Sequence, residues 1–106
     1  MPRIMKVSGV ALWACLLAVW GAALFVVPAD QNQGEVYRII YLHVPSAIAA
    51  FSACFLLAVG GGMGLWSRRE KFLTWQRALA EAGLIMTCLA LLTGSIWGKP
   101  TWGTWW

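Results

Sequence analysis

Two short stretches hold the side chains with the most chemical potential. One is EVYRIIYLHVPSA, which contains the chain's only histidine, His43. A neutral imidazole is a common metal ligand and the usual axial ligand of haem iron, although a lone interfacial histidine also serves as ordinary polar surface. The other is GSIWGKPTWGTWW, which puts four of the eight tryptophans in the last ten residues. Indole offers a large rigid apolar face and one N–H donor, a combination suited to an aromatic ligand with a polar rim. Interleaved Gly94, Gly98, Pro100 and Gly103 are expected to break the helix and let the rings lie against something flat. The competing reading is an aromatic belt that only anchors a helix end at a membrane surface, a pattern that explains one or two tryptophans. Arg38 and Lys99 are expected on the same face. Either can meet carboxylates such as haem propionates, arginine with the better geometry, or simply remain a solvated interface charge. No nucleophile, acid–base pair or metal-hydrolase spacing accompanies them, so a conventional enzyme is not expected.

The elements that must position these residues are membrane spans. Of the 106 residues, 60% are hydrophobic and 11% charged, outside the usual balance of a soluble domain. Apolar runs cover residues 7–27, 44–66 and 78–97, with Glu81 the one ionised side chain among them. Each is roughly 20 residues or slightly more, enough to cross a hydrocarbon core of about 30 Å as a helix. The first is too long for the apolar region of a cleaved signal peptide, despite the basic start at Arg3 and Lys6, and is expected to stay as an anchor. Ala14, Ala18 and Ala22 in the first run, and Ser46, Ala50, Cys54, Ala58 and Gly62 in the second, recur every fourth residue, with Gly60 and Gly64 adding a GxxxG pair, a spacing that lets membrane helices approach closely. The second span is therefore expected to be central. Cys15, Cys54 and Cys88 all lie inside the runs and read as small packing residues.

Polar, turn-forming residues from Pro28 to Gly34 end the first span, and residues 28–43 form the first loop. Within it, residues 35–43 regain hydrophobicity and predict a short helix along the outer interface, with Pro45 starting the second span. The second loop, residues 67–77, is SRREKFLTWQR, basic and bordered by Trp66 and Trp75. Glu81 is expected to pair with Arg77 one turn earlier. Of the eight Lys and Arg residues, Arg3, Lys6, Arg68, Arg69, Lys71 and Arg77 belong to the N-terminus and the second loop. The positive-inside rule puts those two segments in the cytoplasm, and hence His43 and the tail, residues 98–106, outside. In a bacterial inner membrane, outside is the periplasm. A net charge of +4, scattered along the chain, suggests no nucleic-acid surface.

The strings YRIIYLHVPSA (residues 37–47) and TGSIWGKPTWGTWW (residues 93–106), with the order and orientation of the spans, make the chain similar to the CcmC family of haem exporter proteins, which carry a tryptophan-rich WWD segment. GKPT and HVPSA favour that family over sister families that share a W-G-x-W-W core. The resemblance implies a multi-pass inner-membrane protein that binds haem b transiently at the periplasmic face and delivers it for cytochrome c maturation. It implies presentation of haem to the chaperone CcmE, working with the transporter subunits CcmA and CcmB. His43 matches the first of two family histidines that act as axial ligands, and Trp102, Gly103, Trp105 and Trp106 match the start of the WWD segment. Members continue through the acidic end of that motif into three more spans and the second histidine. On this resemblance the chain is expected to be the N-terminal half of a six-span bundle, a truncated fragment. The alternative is a structural membrane-assembly subunit whose tryptophans only anchor it.

Overall fold

A computed structural model describes residues 3–67 and 70–105, without the side chains of Met5 and Lys71. Arg68, Arg69 and Trp106 lie outside the described residues, so the basic loop and the tryptophan cluster are described only in part. The chain is an all-α membrane protein. Helices α1 (Arg3–Phe25), α2 (Ile40–Ser67) and α3 (Glu70–Trp102) are each long and apolar enough to cross a bilayer. Helix is the form these runs must take, since every backbone N–H and C=O in hydrocarbon has to be paired within its own segment. The outer surface suits lipid: Leu65 is 84% and Trp66 93% exposed, while the buried side chains are the small ones of Ala23, Ser46, Ala50, Ala53 and Thr93.

α2 and α3 form an antiparallel hairpin. A methyl group on Gly64 would touch Phe72, one on Gly60 would meet Gln76, one on Gly83 would meet Ala53, and one on Gly94 would meet His43. The α2 side of this seam runs through His43, Ser46, Ala50, Ala53, Leu57, Gly60 and Gly64, alternating steps of three and four residues. That is the 3.5-residue period of a left-handed helix pair. The expected stripe at every fourth residue departs from it after Ala50, and Cys54, Ala58 and Gly62 face outward. A strict four-residue repeat drifts by about 40° per step on a helix of 3.6 residues per turn, so it cannot stay in a straight seam. Ala14, Ala18 and Ala22 of α1 are likewise exposed, as are Cys15, Cys54 and Cys88, which are free thiols on outer helix faces rather than packing residues in the seam. α2 touches both other helices, and among the described residues the backbone of α1 comes close to α2 and the turn before it.

Three local expectations give way to longer helices. The separate interfacial helix is a 3-10 helix, Glu35–Ile39, that runs straight into α2 at Ile40, and Pro45 falls inside α2 rather than at its start. The loop expected over residues 67–77 is already helical from Glu70. The helix break expected at Gly94, Gly98 and Pro100 does not occur. α3 continues to Trp102 and ends at Gly103, whose φ of 78° and N–H bond to the Lys99 carbonyl (2.9 Å) form a left-handed C-terminal cap. Proline in the last turns removes one amide hydrogen bond near an end where carbonyls are already short of partners. Glycine costs a helix little where close packing uses the missing side chain. The single ion pair among the described residues is Arg38 with Glu35, and the expected pair of Arg77 with Glu81 is absent.

Candidate functional site

The antiparallel hairpin brings the start of α2 against the end of α3, and so places His43 beside the tryptophan-rich segment. Gly94 makes this approach possible. A Cβ there would lie 2.8 Å from His43 Cε1 and 3.3 Å from Nδ1, so only a bare Cα lets the imidazole lie against α3. The ring is held by Nδ1, which is 3.0 Å from the Ala90 carbonyl oxygen and 3.2 Å from Thr93 Oγ1.

These two partners define the tautomer. A carbonyl oxygen only accepts, and the Thr93 hydroxyl sends its single proton to the Leu89 carbonyl at 2.7 Å, leaving lone pairs toward His43. Nδ1 must therefore carry the hydrogen and donate it. Nε2 is left with its lone pair free, and among the described residues it makes no hydrogen bond. Metal-binding histidines characteristically donate their second nitrogen to a carbonyl or carboxylate, which fixes the ring and raises its basicity. His43 is arranged in that way.

An aromatic series continues from the imidazole. The Trp97 ring stands 5.9 Å from His43, centroid to centroid, at 41°, and 4.8 Å from Trp102 at 64°. Trp97 is oriented from the other side of the chain, because its Nε1–H donates to Gln33 Oε1 at 2.8 Å. Gln33 is presented by a tight loop in which Asp30 Oδ2 accepts the backbone N–H groups of Asn32 and Gln33. Gly34, at φ 64°, closes the turn in the left-handed region. Trp102 and Trp105 are 64% and 50% exposed, so their faces remain accessible next to the histidine. Beneath His43, between Ala47 and Ala50 of α2 and Thr87 and Ala90 of α3, lies an apolar groove of about 310 Å³.

The expected site residues divide into two groups. His43, Trp102, Gly103, Lys99 and Trp105 gather at one end of the hairpin. There the Lys99 ammonium donates to the Gly103 carbonyl at 3.1 Å and lies 5.7 Å from the Trp105 ring centroid. Arg38 is engaged elsewhere: its Nε donates to the Val27 carbonyl at 2.9 Å and its guanidinium pairs with Glu35. Trp106 is outside the described residues. Gly94 and Trp97 belong to the tryptophan-rich stretch already singled out in the sequence, whereas Gln33, Ala90 and Thr93 were not expected as site residues. The signal was present in part, since residues 90, 93, 94 and 97 share one face of a helix, but it could be read only if α3 continued through the glycines.

The family model described as CcmC, Heme exporter protein C, matches residues 1–106. "Heme exporter protein C" of Escherichia coli (strain K12) is 41% identical over 115 aligned positions, covering 99% of this chain and 46% of that protein. The protein of the same name from Paracoccus denitrificans (strain Pd 1222) is 40% identical over 113 positions, covering 98% and 46%. A ccmC-like mitochondrial protein of Marchantia polymorpha, whose name refers to cytochrome c biosynthesis, is 38% identical over 93 positions, covering 88% and 39%. The chain thus spans about half the length of the curated relatives it matches.

Proposed function

The chain belongs to the CcmC family, haem exporter protein C, and from that premise we propose that it binds haem and delivers it for c-type cytochrome maturation, with His43 Nε2 as an axial ligand of the iron. The observation that carries this reading is the Nδ1–H clamp on Ala90 and Thr93, which leaves Nε2 free beside an aromatic series. The donor set suits haem: a neutral imidazole for the iron, and exposed indole faces at Trp102 and Trp105 for the flat macrocycle. Bound haem would supply an electron-poor iron centre for the imidazole nitrogen. The chain's own part is to orient the imidazole, offer apolar faces and place cationic side chains near the rim. Lys99 is the nearer candidate for a propionate, since Arg38 must first leave Glu35.

The same reading places the site at the periplasmic face of a bacterial inner membrane with the N-terminus in the cytoplasm. Support comes from the positive-inside rule, since Arg3, Lys6 and Arg77 belong to segments at the end of the spans away from His43. The haem is haem b, held transiently, and the receiving partner is the chaperone CcmE, with CcmA and CcmB as transporter subunits. These finer assignments rest on the family resemblance of residues 37–47 and 93–106. A structural assembly role has one observation in its favour, the broad outward face of α1 with Ala14, Ala18 and Ala22 unpacked.

The test is haem binding by the protein expressed from its complete reading frame and purified in detergent. His43→Ala is expected to lose the low-spin histidine-ligated spectrum and most of the bound haem. An unchanged spectrum and occupancy would remove His43 from the site, and absence of haem from every preparation would favour the assembly role.

A further inference from the structure

We infer that Thr93 is a positioning residue for His43: its buried hydroxyl acts as the second acceptor that locks Nδ1 in the protonated form and fixes the plane of the ring. This deepens the proposed haem-ligand role of His43 and rests on it. Thr93 is 4% exposed, inside a helix where a threonine hydroxyl competes with the backbone and is ordinarily no better than valine. Its bond to the Leu89 carbonyl satisfies the proton but gives no reason for Oγ1 to stand 3.2 Å from an imidazole nitrogen at the start of another helix. The bond to Leu89 does have a consequence for that nitrogen. With the hydroxyl proton committed at 2.7 Å, the oxygen can only accept, so it cannot stabilise the opposite tautomer by donating to a bare Nδ1.

The Ala90 carbonyl, at 3.0 Å, is the nearer acceptor, but it is a single point about which the ring can turn. Two acceptors from successive turns of α3, together with the bare Cα of Gly94 against the ring edge, leave one orientation. Thr93 is the only side chain among these contacts, which makes it the element of the clamp that substitution can remove. A second acceptor on Nδ1–H also raises the electron density at Nε2, which with haem bound would strengthen the nitrogen's hold on the iron and favour the oxidised metal.

Thr93→Val keeps the shape and removes the acceptor, while Thr93→Ser keeps the acceptor. In the haem-loaded protein from the complete reading frame, Thr93→Val is expected to lower haem affinity about tenfold, the lower end of the range for such supporting partners. It should also lower the iron–histidine stretching frequency and raise the midpoint potential, and Thr93→Ser should restore all three. Wild-type values for frequency, potential and affinity in a folded Thr93→Val protein would overturn the inference. Should Thr93→Val not fold, the haem-free wild-type protein labelled with 15N-histidine decides it. An Nδ1–H tautomer for the resonance lost in His43→Gln is expected, and an Nε2–H tautomer would overturn the inference. Failure of the ligand reading itself is recognised separately, by a His43→Ala protein whose haem spectrum and occupancy equal those of wild type.

Discussion

Replacing Gly94 with alanine adds one methyl group at the place where the two helices meet through an imidazole. The new Cβ would lie 2.8 Å from His43 Cε1, 3.3 Å from Nδ1 and 3.7 Å from Nε2. Carbon atoms rest at about 3.5–4.0 Å, so the ring must retreat by about 0.7 Å or more. It cannot retreat and also hold a 3.0 Å bond to Ala90 and a 3.2 Å contact to Thr93, because either would pass beyond a useful hydrogen-bond length of about 3.2 Å. Loss of such a supporting contact lowers metal affinity roughly 10–100-fold, or about 1.4–2.8 kcal/mol. The helix itself should respond in the opposite direction, since alanine exceeds glycine in helix propensity by about 1 kcal/mol. The lost hydrogen bonds offset that gain, so Gly94→Ala is expected to stay folded in detergent, with a stability within about 1 kcal/mol of wild type, while binding haem about 10–100-fold more weakly in a Soret titration. Wild-type haem affinity and spectrum in the variant would refute the account of why a glycine stands at this position.

Other glycines give contrasting outcomes. Gly83→Ala would bring its Cβ to 2.9 Å from the Cβ of Ala53, which cannot swing away, so the hairpin should lose about 1–3 kcal/mol in a denaturant titration. Gly60→Ala meets only the amide end of Gln76, at 2.6 Å, and that flexible side chain can leave its 3.3 Å bond to the Leu57 carbonyl, so a loss of under about 1 kcal/mol is expected in the same assay. Gln33→Ala removes the acceptor of Trp97 Nε1–H, and a double-mutant cycle with Trp97→Phe, read by denaturant titration, should show coupling of about 1 kcal/mol.

The three spans were legible because hydrocarbon thickness demands long apolar runs and allows only helices. The meeting of His43 with the tryptophan-rich end was legible too, because spans that alternate in direction bring the start of the second and the end of the third to one side. What was not legible came from rules calibrated on water. Gly94, Gly98 and Pro100 read as breakers, yet α3 runs through them, since an open backbone has no water partner in lipid and the glycines serve close approach. The Gly60 and Gly64 pair does lie in the α2 seam, but Cys54, Ala58 and Gly62 do not, because packing follows a period of 3.5 rather than a repeat of four. Thr93 and Gln33 escaped notice because their partners, Nδ1 of His43 and Nε1 of Trp97, are distant in sequence.

The central claim is that His43 Nε2 binds haem iron, and chemical rescue tests it most directly. His43→Gly, made in the complete reading frame, leaves a space where free imidazole can take the place of the lost ring. With 15N-imidazole added to the oxidised, haem-loaded variant, pulsed electron paramagnetic resonance is expected to show a 15N coupling to the iron and return of the wild-type spectrum. A His43→Gly protein that keeps the wild-type signal without imidazole, and shows no 15N coupling with it, would contradict the account.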